Sequence, residues 1–293
     1  MKIVPHLWYD QEAFEAAQLY TSLFADSVIH GRTSIEDTPS GTAGMVTVSL
    51  SGQEFMLLSA GPYFTFTPAV SFRIDCSTKK EVVLLWDRLS AGGTVLMPLD
   101  SYPFSDKYGW ISDKFGLSWQ VMYVGEQPVM QKISPALMFT GAQCGRAEEA
   151  IRFYASVFPG SEAGGILRYK ADEDPNKEGT IKQAAVKLDG LSFAVMDSAY
   201  PHAFTFNEAV SFVVYCDTQE EIDYYWAKLS FVPEAEQCGW LKDKFGVSWQ
   251  IVPSVMKDFM AEGDPGKMKR VTEAFLKMKK FDIAELQRTA EER

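Results

Sequence analysis

Two nearly identical twelve-residue segments carry side chains whose types could do chemistry. Gly109–Gln120 reads GWISDKFGLSWQ and Gly239–Gln250 reads GWLKDKFGVSWQ. Each ends on a glutamine, Gln120 or Gln250, whose amide can donate and accept hydrogen bonds in a pocket. A histidine, His6, lies in the first apolar run, PHLWY. Its imidazole could bind a metal or act as a general base near neutral pH.

Each of these residues also has a purely structural explanation. His6 can be a hydrogen-bonded wall residue, because no carboxylate partner is evident near it in the sequence. A repeated glutamine can persist because its amide satisfies buried backbone groups. Trp110 and Trp240 fit hairpin packing as well as they fit a ligand site. The sequence leaves both alternatives open.

The repetition extends over most of the chain. FTFTPAVSF at Phe64–Phe72 recurs as FTFNEAVSF at Phe204–Phe212, and AAQLYTSLF at Ala16–Phe24 resembles AIRFYASVF at Ala150–Phe158. Such self-similarity indicates a duplicated gene. Apolar periodicity and turn signals predict two β-α-β-β-β units in each copy. The second copy is ten residues shorter before its last hairpin.

These patterns predict three segments. We expect one domain at 1–126, a second at 134–256 and a C-terminal amphipathic helix at 264–290. The helix is predicted by an apolar stripe at helical spacing with lysines largely off it. We expect it to pack on its own domain or on a second subunit. The stripe consists of Met268, Val271, Phe275 and Met278.

Composition narrows the classes of protein. The 293 residues carry a net charge of −11, which argues against a nucleic-acid or anionic-membrane binder, since both need a basic face. No stretch reads as a signal peptide or a membrane span, so we expect a cytoplasmic protein. The four cysteines lack zinc-like spacing with the three histidines and read as reduced thiols.

The motifs PHLWYD, FTFNEAVSF and the two GW…DKFG…SWQ segments resemble the PhnB-like branch of the vicinal oxygen chelate superfamily. This superfamily includes glyoxalase, bleomycin-resistance and extradiol-dioxygenase proteins. The resemblance covers nearly the whole chain and implies an α+β fold. Two tandem domains, each of paired β-α-β-β-β units forming a curved sheet cup, would precede the C-terminal helix. Duplication can supply the interface that single-copy relatives form by dimerising, so we expect a monomer or a homodimer.

The resemblance also implies where a metal would be bound. Metal-using members take ligands from the first, fifth and eighth strands of a cup. A divalent Lewis acid needs at least three protein ligands, with a carboxylate or several imidazoles among them. We therefore expect no metal and no cofactor. The matching positions are His6, Ala69–Ser71 and Gln120 in copy one, and Ala136 or Met138, Ala209–Ser211 and Gln250 in copy two.

Members of the branch carry the label of a ubiquinone methyltransferase. A doubly wound site for a nucleotide-type methyl donor requires a glycine-rich turn between a buried parallel strand and a helix. We find no such turn with the accompanying acidic residue in this sequence. The label therefore gains no support from the residues themselves.

The leading hypothesis is metal-independent binding of a small organic molecule in a cup centred on His6, Trp8, Phe64 and Gln120. One alternative is a glyoxalase-like or isomerase-like enzyme with its site in domain 1, where His6 and Gln120 help to hold a divalent metal. A third is an interaction subunit whose cups are filled by their own side chains. The full set of pocket candidates is His6, Trp8, Phe64, Trp110, Gln120, Met138, Phe204, Glu208, Trp240 and Gln250.

Overall fold

The secondary structure repeats between the two copies. The computed structural model describes residues 3–38, 41–126, 128–262 and 264–291, so residues 1, 2, 39 and 40 of the predicted first domain lie outside the described residues. Copy one contains β1 (Ile3–Tyr9), α1 (Ala13–Leu23), β2 (Val28–Thr38), β3 (Gly41–Leu50), β4 (Gln53–Ser59), β5 (Val70–Cys76), α2 (Lys79–Ser90), β6 (Thr94–Tyr102), β7 (Ser105–Ser112) and β8 (Ser118–Tyr123). Copy two contains β9 (Ile133–Phe139), α3 (Ala147–Val157), β10 (Glu162–Arg168), β11 (Ile181–Leu188), β12 (Leu191–Asp197), β13 (Val210–Cys216), α4 (Gln219–Leu229), β14 (Trp240–Lys242) and β15 (Ser248–Pro253).

The strands form two curved sheets, and each sheet combines strands of both copies. The seven-stranded sheet has the order β14-β15-β13-β1-β4-β3-β2, and the eight-stranded sheet has the order β10-β11-β12-β9-β5-β8-β7-β6. Antiparallel β1 and β13 place His6 opposite Ser211, and β9 and β5 place Ala136 opposite Ser71. Each sheet therefore joins the first unit of one copy to the second unit of the other.

This topology confirms the predicted α+β fold with tandem repeats and curved sheets, and it adds which units are partners. The bounds 1–126 and 134–256 stay predictions of where each copy ends. A cup is not confined to either range, because its two units come from different copies.

One continuous apolar core is shared by both sheets and by helices α1 to α4. Phe55 of the seven-stranded sheet contacts Phe72 of the eight-stranded sheet, with ring centroids 5.4 Å apart. Along β1, Leu7 and Tyr9 point into this core, whereas His6 and Trp8 face the opposite, concave side. The period of two in a strand produces this division.

A buried carboxylate fixes each repeated DKFG turn. In copy two, Asp243 Oδ1 accepts hydrogen bonds from the amides of Phe245 and Val247 at 2.8 and 3.1 Å. Its Oδ2 accepts from Tyr154 Oη at 2.7 Å and from Trp249 Nε1 at 2.9 Å. Burial raises the pKa of the Asp243 carboxyl, and these hydrogen bonds oppose part of that rise.

The same arrangement recurs in copy one, where Asp113 accepts from Tyr20 Oη at 2.6 Å and from Trp119 Nε1 at 2.8 Å. Both aspartates also cap their turns through a backbone amide, that of Phe115 or Phe245, and Gly116 and Gly246 adopt the positive φ of the turn. In addition, each aspartate ties a hairpin of one sheet to a helix of the unit that builds the other sheet. The two units of one copy are thereby held together.

The C-terminal region differs from the single helix predicted at 264–290. It contains α5 (Val255–Glu262), α6 (Pro265–Phe275) and α7 (Ile283–Glu291). The break between α6 and α7 has a physical reason, because the backbone of Met278 and Lys279 accepts hydrogen bonds at 2.8 Å from the amides of Cys238 and Gly239. None of the helices in the described part of the chain is long and apolar enough to cross a membrane.

The tail covers an edge of the seven-stranded sheet whose equivalent in copy one is covered by a strand. In copy one, β6 pairs with β7 at Tyr108 and Trp110. In copy two the corresponding stretch is shorter and holds a 3-10 helix, Pro233–Ala235. The tail backbone then bonds to Cys238 and Gly239, the equivalents of Tyr108 and Gly109.

We expect Asp243→Asn to lower the free energy of unfolding by about 2 to 4 kcal/mol. An amide nitrogen at the Oδ2 position cannot accept the bonds from Tyr154 and Trp249, and both donors would be left buried and unpaired. Tyr154→Phe removes one bond and should cost about 1 kcal/mol. Denaturant unfolding measures both, and equal losses in the two variants would contradict this role.

Candidate functional site

A cavity of about 530 Å³ lies on the concave face of the seven-stranded sheet. Its floor includes the buried side chains of Met45, Met56, Val213 and Tyr215, which form an apolar cluster separate from the main core. The tail contributes further apolar side chains. These are Met256, Met260, Met268, Phe275, Leu276 and Phe281. Walls from both copies and from the tail thus meet at one site.

His6 lies in the wall of this cavity with only 3% of its surface exposed. Its ring meets the Trp240 ring edge to face, with centroids 5.4 Å apart. The Nδ1 atom has no hydrogen-bond partner among the described residues. Burial lowers the pKa of the imidazole to about 3, so the ring is uncharged at neutral pH.

Three aromatic side chains continue the wall from His6 to the rim. Trp8 packs edge to face on Phe64 at 5.0 Å and on Trp240 at 6.1 Å between centroids. The Trp8 indole Nε1 donates to the carbonyl of Gly61 at 2.8 Å, which fixes its orientation. His6, Trp8 and Phe64 line this cavity together.

The two glutamines lie on different sheets. Gln250 lines the cavity, and its Nε2 donates to Ser211 Oγ at 2.9 Å. Gln120 lies on β8 in the eight-stranded sheet, where it donates to Ser71 Oγ at 2.6 Å. The predicted grouping of His6 with Gln120 is therefore wrong. Instead, β1 pairs with β13, and β13 pairs with β15, the strand that carries Gln250.

The remaining candidates separate in the same way. Glu208 lines the cavity, and its carboxylate is ion-paired with Lys242 at 2.6 Å. Trp110, Met138 and Phe204 lie outside this cavity, the first two on strands of the eight-stranded sheet. The methionines of the floor and of the tail were not predicted, since no motif marks them.

The tryptophan of the repeated segment has two different environments. In copy one, Trp110 Nε1 donates to Ser118 Oγ at 2.8 Å. In copy two the indole of Trp240 packs on His6 and Trp8, and the buried Ser248 Oγ has no partner among the described residues. The same residue pair is thus hydrogen-bonded on one sheet, whereas on the other the tryptophan belongs to the cavity wall.

The donor set of the cavity does not fit a divalent metal. It offers one imidazole, two amides, one thiol and a carboxylate already paired with lysine, while Glu234 is exposed. Among the described residues, no group of three or more His, Cys, Asp or Glu side chains is placed to hold an ion. The cavity also fits poorly with a charged sulfonium methyl donor, because its mostly apolar walls would have to desolvate several charges.

The chain is similar to several known proteins. The chain is 27% identical over 131 residues to the protein YjdN of Escherichia coli, a match that covers 41% of this chain and 86% of that protein. A PhnB protein structure from Bacillus cereus is 39% identical over 42% of this chain and 100% of its own, with a TM-score of 0.40. Glyoxalase I from Zea mays is 13% identical, covers 89% of this chain and 95% of its own, and has a TM-score of 0.53.

Two curved sheets built from three β-α-β-β-β units and a fourth unit with one strand fewer define a protein of the glyoxalase fold, and the likeness to glyoxalase I concerns the fold alone. The family model described as 3-demethylubiquinone-9 3-methyltransferase matches residues 1–122 and again residues 131–252. The chain belongs to this family and carries its domain twice. The predicted PhnB-like resemblance is thus confirmed.

Matched serine variants should have opposite effects on stability. Ser118→Ala removes a hydrogen bond to Trp110 and should cost about 1 kcal/mol, whereas Ser248→Ala removes an unpaired buried hydroxyl and should be neutral or stabilising. Thermal or urea unfolding of the two variants measures the difference. A larger loss for Ser248→Ala would show that this hydroxyl is bonded in solution.

His6 should make the protein less stable in mild acid. Because its folded pKa is lowered to about 3, the unfolded chain takes up the proton first, and stability falls as the pH drops below about 6.5. His6 accounts for a loss of about 2 kcal/mol in the free energy of unfolding between pH 7 and pH 5. His6→Phe should abolish this loss, whereas Met56→Leu, in the floor of the same cavity, should retain it. Urea unfolding at several pH values measures this dependence. The expectation would be refuted if the free energy of unfolding of His6→Phe fell with decreasing pH as steeply as that of the wild type.

Proposed function

We propose that the chain binds a small organic molecule in the cavity of the seven-stranded sheet without the help of a metal ion. The observation that carries this proposal is a mostly apolar cavity of about 530 Å³ whose lining includes a buried imidazole, the Nδ1 of which has no partner in the described part of the chain. Small-molecule sites typically have this volume, mostly apolar walls and a few polar groups that orient the ligand. An unpaired buried polar atom is costly unless a ligand or water satisfies it.

The alternatives receive less support. A glyoxalase-like or isomerase-like metal site was expected to use His6 and Gln120, which lie on different sheets. An interaction subunit without a ligand would have its cups filled, and the size of the cavity argues against that for the seven-stranded sheet. Methyl transfer is the description of the family, and fold and family do not by themselves transfer an activity. A cytoplasmic monomer or homodimer stays a prediction.

The proposal predicts stabilisation by a ligand after removal of metals. Protein treated with EDTA should gain thermal stability from one or more compounds of a metabolite library, because a ligand that binds only the folded state stabilises it. Trp240→Ala should weaken binding of the best compound about fivefold or more, since it removes an aromatic wall. Trp110→Ala changes the equivalent residue of the other copy and is the matched control. It should bind the compound with an affinity within about twofold of that of the wild type.

Two results would contradict the proposal. Stabilisation that disappears with EDTA and returns with a divalent metal would show that binding depends on the metal. Equal weakening in Trp240→Ala and Trp110→Ala would place the ligand outside the cavity.

A further inference from the structure

We infer that the ligand of this cavity is an uncharged phenol whose hydroxyl group meets Gln250 and His6. This inference rests on the proposed function and specifies its ligand class. It is drawn from a difference between the two copies at equivalent positions.

Copy one contains a phenol of its own at the equivalent place. Tyr108 is buried, and its hydroxyl donates to Gln120 Oε1 at 3.0 Å. Gln120 Nε2 in turn donates to Ser71. A phenol, an amide and a serine hydroxyl thus form a chain of hydrogen bonds on the concave face of the eight-stranded sheet.

Copy two keeps the amide and the serine and has no phenol there. Gln250 Nε2 donates to Ser211 Oγ at 2.9 Å, as Gln120 does to Ser71. The residue at the position of Tyr108 is Cys238, whose φ of 51° takes the backbone out of the strand and towards the tail. Gln250 Oε1 therefore has no donor among the described residues.

His6 supplies a second polar group, and both His6 and Gln250 line the cavity. His6 is paired across the strands with Ser211, the residue that receives the Gln250 bond. Its Nδ1 is buried and unpartnered. A hydroxyl group donates one hydrogen bond and accepts others, so with the Nδ1–H tautomer it can accept from Nδ1 while its own proton is donated to Gln250 Oε1. A carbonyl oxygen could only accept.

The charges of the cavity favour an uncharged ligand. None of the described residues that line it is a lysine or an arginine, so a carboxylate or phosphate would find no counter-charge. Glu208 is held by Lys242, and Glu234 is exposed at the edge, so an ammonium group would meet neutral atoms at the buried end. Burying an unpaired charge is far more costly than burying a hydroxyl.

The walls suit an aromatic ring. Trp240, Trp8 and Phe64 present ring faces and edges beside His6, and aromatic rings pack favourably on one another in such offset and edge-to-face contacts. The methionines of the floor and tail are flexible and polarisable, which allows the cavity to adapt to ring substituents.

The test uses four probes that share one ring system: 2-naphthol, 2-methylnaphthalene, 2-naphthoate and 2-naphthylmethylammonium. Titration calorimetry of the full chain with EDTA near neutral pH should give the tightest binding for 2-naphthol. We expect 2-methylnaphthalene to bind about fivefold more weakly or worse, since it lacks the hydroxyl. Both charged probes should bind about tenfold more weakly or worse.

Variants assign the preference to the two polar residues. Gln250→Leu and His6→Phe should each reduce the preference for 2-naphthol over 2-methylnaphthalene to about twofold or less. Gln120→Leu and Tyr108→Phe alter the equivalent chain in copy one and should leave the preference unchanged. Cooperative thermal unfolding of each variant verifies that it is folded.

The outcomes separate this inference from the proposed function. The assignment of a phenol would be refuted if a charged probe or 2-methylnaphthalene bound as tightly as 2-naphthol. It would also be refuted if 2-naphthol did not bind. In each of these cases library compounds that stabilise the protein in a Trp240-dependent manner would still support the cavity as a binding site. A preference that survives both Gln250→Leu and His6→Phe would also refute the inference.

Discussion

The antiparallel pairing of β1 with β13 is the interaction on which the candidate site depends. It joins a strand of the first unit to a strand more than 200 residues away and sets His6 opposite Ser211. Parallel pairing of β13 with β15 then carries Gln250 to the same concave face. Without this register the imidazole, the amide and the aromatic wall would not share a cavity.

A second kind of tether acts within each copy. Asp113 and Asp243 each hold a hairpin of one sheet to a helix of the unit that builds the other, through buried tyrosine and tryptophan donors. Backbone pairing therefore connects units of different copies, while buried carboxylates connect units of the same copy. Since the two sets of contacts cross, all four units are mutually dependent and share one core.

The repeated GW…DKFG…SWQ motif has a different role in each copy. On the eight-stranded sheet Tyr108 and Ser118 satisfy Gln120 and Trp110 from within the protein. On the seven-stranded sheet a shorter connection removes the outer strand, the tail covers that edge, and Gln250 and Trp240 line a cavity. Duplication permits this divergence because one copy of the motif can keep its internal partners while the other changes.

The sequence by itself determined the repeat, the order of strands and helices up to the shortened last unit, and the grouping of His6 with Trp8, because periodicity and turn chemistry are local properties. Only the tertiary structure decided that His6 lies with Gln250 instead of Gln120, and that the tail consists of separate helices. The strands β5 and β13 both begin Val-Ser-Phe, so this shared start does not show which one pairs with β1. That choice depends on long-range packing and on which strand edges remain available, and these exist only in the folded chain.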